Sequence, residues 1–195
     1  MTLNAVSDGP ATKTSRRKRH WTRISLRGLF ILMTVSAISV GLFIKEMRDH
    51  RAAITAVEDS RAGISLKQGG PEWLRRFVSD EKHFWIPVAV RFNSAHPITD
   101  AELRSLMPHL LEFEELNYIN LYRSNVTDAG IAELMSLSPK LESLDVRSTS
   151  VSDKSVPVLK QFSQLTLLRV QGSAITEQGR NEIRQSLPNC KFDVP

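Results

Sequence analysis

The chain has 195 residues, enough for one globular domain with extensions, and 41% of them are apolar, enough to build a core. Its formal charge of +5 is uneven: residues 1–27 carry seven Lys or Arg against one acid, while the other 168 residues hold 19 basic and 20 acidic side chains. The body is therefore nearly neutral, which argues against a nucleic-acid-binding surface, and the single cysteine, Cys190, excludes an internal disulfide framework.

Residues 1–27 read as a basic tail without structure, because "MTLNAVSDGPATKTS" offers little apolar surface to bury. The cluster "RRKRH" follows, and then Gly28–Ile44, "GLFILMTVSAISVGLFI", runs 17 residues without a charge. As a helix that run is about 26 Å long, against a hydrocarbon core of about 30 Å, and residues 28–44 are expected to form one transmembrane helix. Arg27 and Lys45 can reach toward the two interfaces. The basic excess on the N-terminal side predicts a cytoplasmic N-terminus, a single pass and an exported body. "RRKRH" is then a topology signal. The competing reading is a signal peptide cut near Val35-Ser36-Ala37, which would release the body as a secreted domain.

Residues 45–63 carry Ala53, Ile54 and Val57 on one helical stripe and are expected to form a stalk. "KQGG" breaks it, and Pro71 suits the first turn of a further helix. Residues 64–84 are expected to be an N-terminal helical cap, with Trp73, Leu74, Phe77 and Val78 on its apolar face.

Residues 85–195 repeat. Four segments begin at Trp85, Leu116, Leu141 and Leu165, in steps of 31, 25 and 24 residues. Apolar residues recur three and five positions later: Val88 and Val90, Ile119 and Leu121, Leu144 and Val146, Leu168 and Val170. A hydroxyl–acid pair follows in each unit: Thr99-Asp100, Thr127-Asp128, Ser152-Asp153 and Thr176-Glu177. The alternation predicts a strand with one buried face, and the hydroxyl predicts a helix N-cap. Leu106, Leu134, Leu159 and Ile183 close the core from the helix side, and no unit can bury its apolar face alone. In the last unit Arg180 stands where the others have Leu103, Ile131 and Val156, as befits a terminal helix facing water.

This pattern resembles the leucine-rich repeat, and "VTDAGIAEL" resembles its cysteine-containing, F-box-associated subclass, without that subclass's cysteines. The resemblance implies an α/β solenoid of about four strand–helix units plus a terminal strand, with Cys190 in a core position. The whole chain also resembles a class of bacterial single-pass proteins with a basic N-terminus, a "P-x-WLR" segment, here Pro71–Arg75, and a few such repeats. In the leucine-rich repeat, residues between the buried strand positions face the concave side. The implied partner-binding residues are Arg91, Tyr118, Asn120, Tyr122, Asp145, Arg147, Arg169 and Gln171. Aligned on the repeat, Arg91, Tyr122, Arg147 and Gln171 form one row, and Asn120, Asp145 and Arg169 lie in the next. Arginine and tyrosine at such spacing are the residue types of protein-interface hot spots. Tyr122 is expected to stack between Arg91 and Arg147, and Asp145 to pair with Arg169.

No enzyme is expected. The Thr-Asp and Ser-Asp pairs recur as caps, and no "GxSxG", "GKS" or "HExxH" occurs. The five histidines, at 20, 50, 83, 96 and 109, make no metal-ligand spacing, so no metal or cofactor is expected. The expected function is a membrane-anchored repeat module binding a protein or cell-envelope ligand, with no nucleic acid. The alternative is an envelope component without selective recognition.

Overall fold

The computed structural model describes residues 26–69 and 85–193. The chain divides into two compact units, residues 1–42 and 43–195. The described part of the first unit is the beginning of α1 (Leu26–Asp59). Its large apolar side chains, among them Phe30, Ile31, Leu32, Met33 and Ile38, are exposed. The Thr34 and Ser39 hydroxyls donate to carbonyls of the same helix, Phe30 at 3.0 Å and Val35 at 2.9 Å, so these polar residues do not interrupt it.

The expected membrane span over residues 28–44 is overturned. Among the described residues no helix is long and apolar enough to cross a membrane. Length and continuity explain this. The uncharged run stops at 17 residues, short of the roughly 20 that a span requires, and α1 continues unbroken into the charged segment Lys45–Asp59. The readings built on that span fall with it: the signal anchor, the single pass, the cytoplasmic N-terminus and the exported repeats.

The second unit is mixed α/β. Its described residues form a sheet of six strands in sequential order: β1 (Gly63–Gln68), β2 (Trp85–Arg91), β3 (Tyr118–Asn120), β4 (Ser143–Asp145), β5 (Leu167–Arg169) and β6 (Lys191–Asp193). From β2 onward every pairing is parallel. Parallel neighbours require a crossover, and the crossovers hold the helices. These are α2 (Asp100–Glu112), α3 (Asp128–Glu133) running into a 3₁₀ turn at Leu134–Leu137, a 3₁₀ turn at Asp153–Ser155 with α4 (Val156–Leu159), and α5 (Glu177–Ser186).

Each of β2 to β5 sends one equivalent residue into the core, Val90, Ile119, Leu144 and Leu168, all without exposed surface. Leu103, Ile131, Leu159 and Ile183 meet them from the helix side, also without exposed surface. Phe113 and Phe162 are the largest fully buried side chains.

The N-terminal side differs from the sequence expectation. Residues 63–68 are not helical: they form β1, antiparallel to β2, with Ile64 opposite Val90. The apolar stripe of α1 enters the repeat core, where Ala53 and Val57 have no exposed surface. The His50 ring meets the edge of Phe113 at 5.8 Å between centroids. The expected cap helix of Trp73, Leu74, Phe77 and Val78 lies outside the described residues.

The hydroxyl–acid pairs act between units as well as within them. Thr127, Ser152 and Thr176 are N-caps whose side chains accept from Ala129, Lys154 and Gly179 amides. The acid of the preceding unit grips each cap. Asp100 accepts from the Thr127 amide at 2.9 Å and its hydroxyl at 2.6 Å. Asp128 does the same for Ser152 at 2.7 and 2.6 Å, and Asp153 for Thr176 at 2.8 and 2.7 Å. These two-point bonds set the spacing of successive units. They also explain Gly130 and Gly179, where a Cβ would collide with the Asp100 and Asp153 carboxylates of the preceding unit. At the first unit Thr99 forms a capping box with Glu102. In the fourth unit Glu177 accepts from Arg180 and Arg184 of its own helix.

Candidate functional site: the strand-end face

The pleat that buries Ile119, Leu144 and Leu168 turns their neighbours to the other face of the sheet. The register places Arg91, Asn120, Asp145 and Arg169 in one row, with Asp193 beyond, and Ala89, Tyr118, Ser143 and Leu167 in the next. The sequence alignment of the first unit is thus off by two residues. Val90, not Val88, is the partner of Ile119. The Phe92 amide continues the ladder to the Asn120 carbonyl at 3.0 Å, and Phe92 is buried. Arg91 consequently stands beside Asn120, not beside Tyr122.

Tyr122, Arg147 and Gln171 follow the strand ends and remain side by side. The Arg123 amide donates to the Arg147 carbonyl at 3.0 Å, and the Ser148 amide to the Gln171 carbonyl at 2.9 Å. The chain then turns through a left-handed residue in each of the last three units: Arg123 (φ 56°), Ser148 (φ 53°) and Gly172 (φ 70°). Side chains of the row above support these turns. Asn120 Oδ1 accepts from the Tyr122 amide at 2.8 Å, and Asp145 Oδ1 accepts from the Arg147 amide at 3.1 Å. Asn and Asp favour such turns because the side-chain oxygen reaches the amide two residues on.

The Asp145 carboxylate is the centre of the face and has no exposed surface. A buried charge is tolerated only when paired and hydrogen-bonded. Arg147 supplies both: its Nη2 donates to Oδ2 at 2.7 Å and its Nε lies 3.0 and 3.1 Å from the two oxygens. Arg169 Nη1 adds a longer contact at 3.7 Å. The expected Asp145–Arg169 pair is therefore the weaker of two.

The aromatic contacts also differ from expectation. The Tyr122 ring is flanked by Arg123 and Arg147, each guanidinium 5.1 Å from the centroid, and Arg91 stands 5.6 Å from the Tyr118 ring. Sequence reasoning missed Arg123. Its one signal is the repeat position shared with Ser148 and Gly172, where a left-handed backbone redirects the side chain toward its neighbour. Gln171 is exposed and makes its bond through its backbone.

A second hollow of about 480 Å³ lies among Asp59, Arg61, His96, Pro97, Glu102 and Leu106. There Arg61 Nη1 is 2.7 Å from His96 Nε2. Among the described residues no three His, Cys, Asp or Glu side chains converge as metal ligands would.

No family model matches the chain, and no curated protein matches it. Neither the cysteine-containing repeat subclass nor the anchored bacterial class therefore has a family match behind it. Among solved structures, an internalin from Listeria monocytogenes is similar, with 17% identity and a TM-score of 0.34. The match covers 45% of this chain and 31% of the internalin, so the chain spans less than a third of that protein.

Proposed function

We propose that the chain is a protein-binding repeat module whose partner docks on the strand-end face. The observation that supports this reading most is the state of Arg147. Asp145 holds its guanidinium at one edge and the Tyr122 ring covers one plane, so a long, flexible side chain is already ordered. Ordering a rotamer-rich side chain on binding costs about 0.5–1.5 kcal/mol, and here the fold has met that cost beforehand. Arginine and tyrosine in contact at the centre of a surface are the usual composition of binding hot spots.

The module has no catalytic role in this reading. The hydroxyls that catalysis could recruit, on Thr127, Ser152 and Thr176, are each engaged by an acid and an amide in the inter-unit ladder.

The test is selection of binders from a displayed library of folded protein fragments, using the full chain as bait. Binders that lose about tenfold or more in affinity with Tyr122→Ala, or roughly 1.4 kcal/mol, support the reading. Binders indifferent to Tyr122→Ala and to Arg91→Glu refute it.

A further inference from the structure

The charges around the face are one-sided. Arg91 and Arg169 lie in the strand row, and Arg123 and Arg147 lie just past the strand ends. The acid of the same row whose side chain is described is Asp145, and the Asp193 backbone lies in register beside Arg169. Asp145 is inaccessible to a ligand, because its oxygens are fully buried and bonded to Arg147. Four guanidiniums thus border a surface on which the central acid serves as an internal brace. Two of them, Arg91 and Arg123, are exposed and stacked on tyrosine rings.

Resting on the protein-binding reading above, we propose that the occupant of this face is an acidic stretch of a partner protein, with Asp or Glu carboxylates set against these arginines. Guanidinium groups receive carboxylates in a two-pronged geometry, and arginines stacked on tyrosine keep that geometry. The body of the chain is otherwise close to neutral, so this positive patch stands out locally. The opposite ends of the strands present Glu114, Glu115 and Glu142 with Lys140 among them. A long polyanion laid along the strands would run from cations into that acidic edge. A short acidic segment crossing the strand ends would not. Local charge of this kind favours a peptide segment over a nucleic acid.

The test uses fluorescein-labelled 12-residue peptides rich in Asp and Glu, their Lys-substituted counterparts, and a single-stranded oligonucleotide of the same charge. Anisotropy with the full chain is expected to show binding of the acidic peptides, weakened about tenfold or more between 50 and 500 mM salt. The double variant Arg91→Glu/Arg123→Asn is expected to lose about tenfold or more of that binding. Neither residue touches Asp145, and Asn tolerates the left-handed backbone at position 123. Lys154→Glu, on the helix side of the third unit, is expected to bind as the parent does. An unchanged urea midpoint in each variant excludes unfolding as the cause. The inference is overturned if acidic and Lys-substituted peptides bind alike, if the double variant binds unchanged, or if the oligonucleotide binds as tightly and responds to the same substitutions. If fragments from the library selection still depend on Tyr122 while acidic peptides fail, the protein-binding reading survives and the acidic partner does not. If no binder depends on Tyr122, both fall.

Discussion

Asp128→Ala tests whether the inter-unit ladder holds the repeats together. Asp128 accepts two bonds from Ser152, at 2.7 Å from the amide and 2.6 Å from the hydroxyl, 24 residues away in sequence. Hydrogen bonds to a charged acceptor contribute about 1.5–3 kcal/mol each, and these are only partly buried, so the lower half of that range applies. The carboxylate also sits in the first turn of α3, where a negative charge adds about 0.3–1 kcal/mol. The expected loss is about 3.3–5.5 kcal/mol, or roughly 7–22 °C in Tm for a unit of this size. Glu177→Ala is the internal comparison. Glu177 occupies the same repeat position and also opens a helix, but its carboxylate bonds the half-buried Arg180 and Arg184 of its own helix. Its removal gives up a similar helix-terminus charge but no bond to another unit, so it is expected to move the midpoint well under half as far. Urea titration followed by circular dichroism measures both, with the slope of the transition as a check that the unfolded reference is unchanged. Equal losses from the two variants would refute the ladder as the source of the coupling. So would a loss at Asp128 below about 0.5 kcal/mol, the ordinary scatter of surface substitutions.

Other outcomes follow from the same packing. Gly130→Ala forces a methyl against Asp100 and Val126 and is expected to cost about 1–3 kcal/mol, whereas Gly41→Ala meets nothing within 4 Å and should cost nothing, both read from thermal melts. Leu144→Ala removes a fully buried side chain from the central strand and should cost about 2–5 kcal/mol in a urea titration, against a few tenths for the half-exposed Leu111→Ala. Burial pushes the Cys190 thiol up to about 11, so it should resist Ellman's reagent at about pH 8 until urea unfolds the chain. Early labelling would show that this strand opens on its own. The Thr99 amide, and after it the Thr99 hydroxyl, hold the Glu102 carboxyl below its ordinary value of 4.5. A depressed carboxylate stabilises the fold above its unfolded value, and the gain is lost as pH falls through the folded value. Glu102→Gln should therefore flatten the fall in stability below about pH 4.5, measured as urea midpoints across that range.

The repeat was legible because its signals are local. Thr127, Ser152 and Thr176 each announce a helix start seven residues after the end of a strand, and a cap needs only its own amides to form. Leu144 and Leu168 are recognisable as core because alternation over a few residues already assigns them a face. The first unit was misread by two residues because "VAVRF" offers two apolar pairs of equal merit. The ladder to β3 selects Val90 and Phe92, and that choice moves Arg91 from Tyr122 to Asn120. Residues 28–44 suggest a span because Arg27 and Lys45 can bridge a short uncharged run toward the interfaces, but among the described residues no helix is long and apolar enough to cross a membrane, and α1 continues into a charged segment.

The sequence by itself determined the period, the capped helix starts and the buried face of each strand, since these depend on residues within one turn or one strand of each other. Only the tertiary structure decided that β1 pairs antiparallel on the first repeat, that Asp128 grips Ser152, and that Asp145 is enclosed by Arg147. The first two join residues seventeen or more positions apart. The enclosure of Asp145 requires neighbouring strands on both sides to exclude water. Distances of that kind are set by stacking whole units, and no local pattern encodes them.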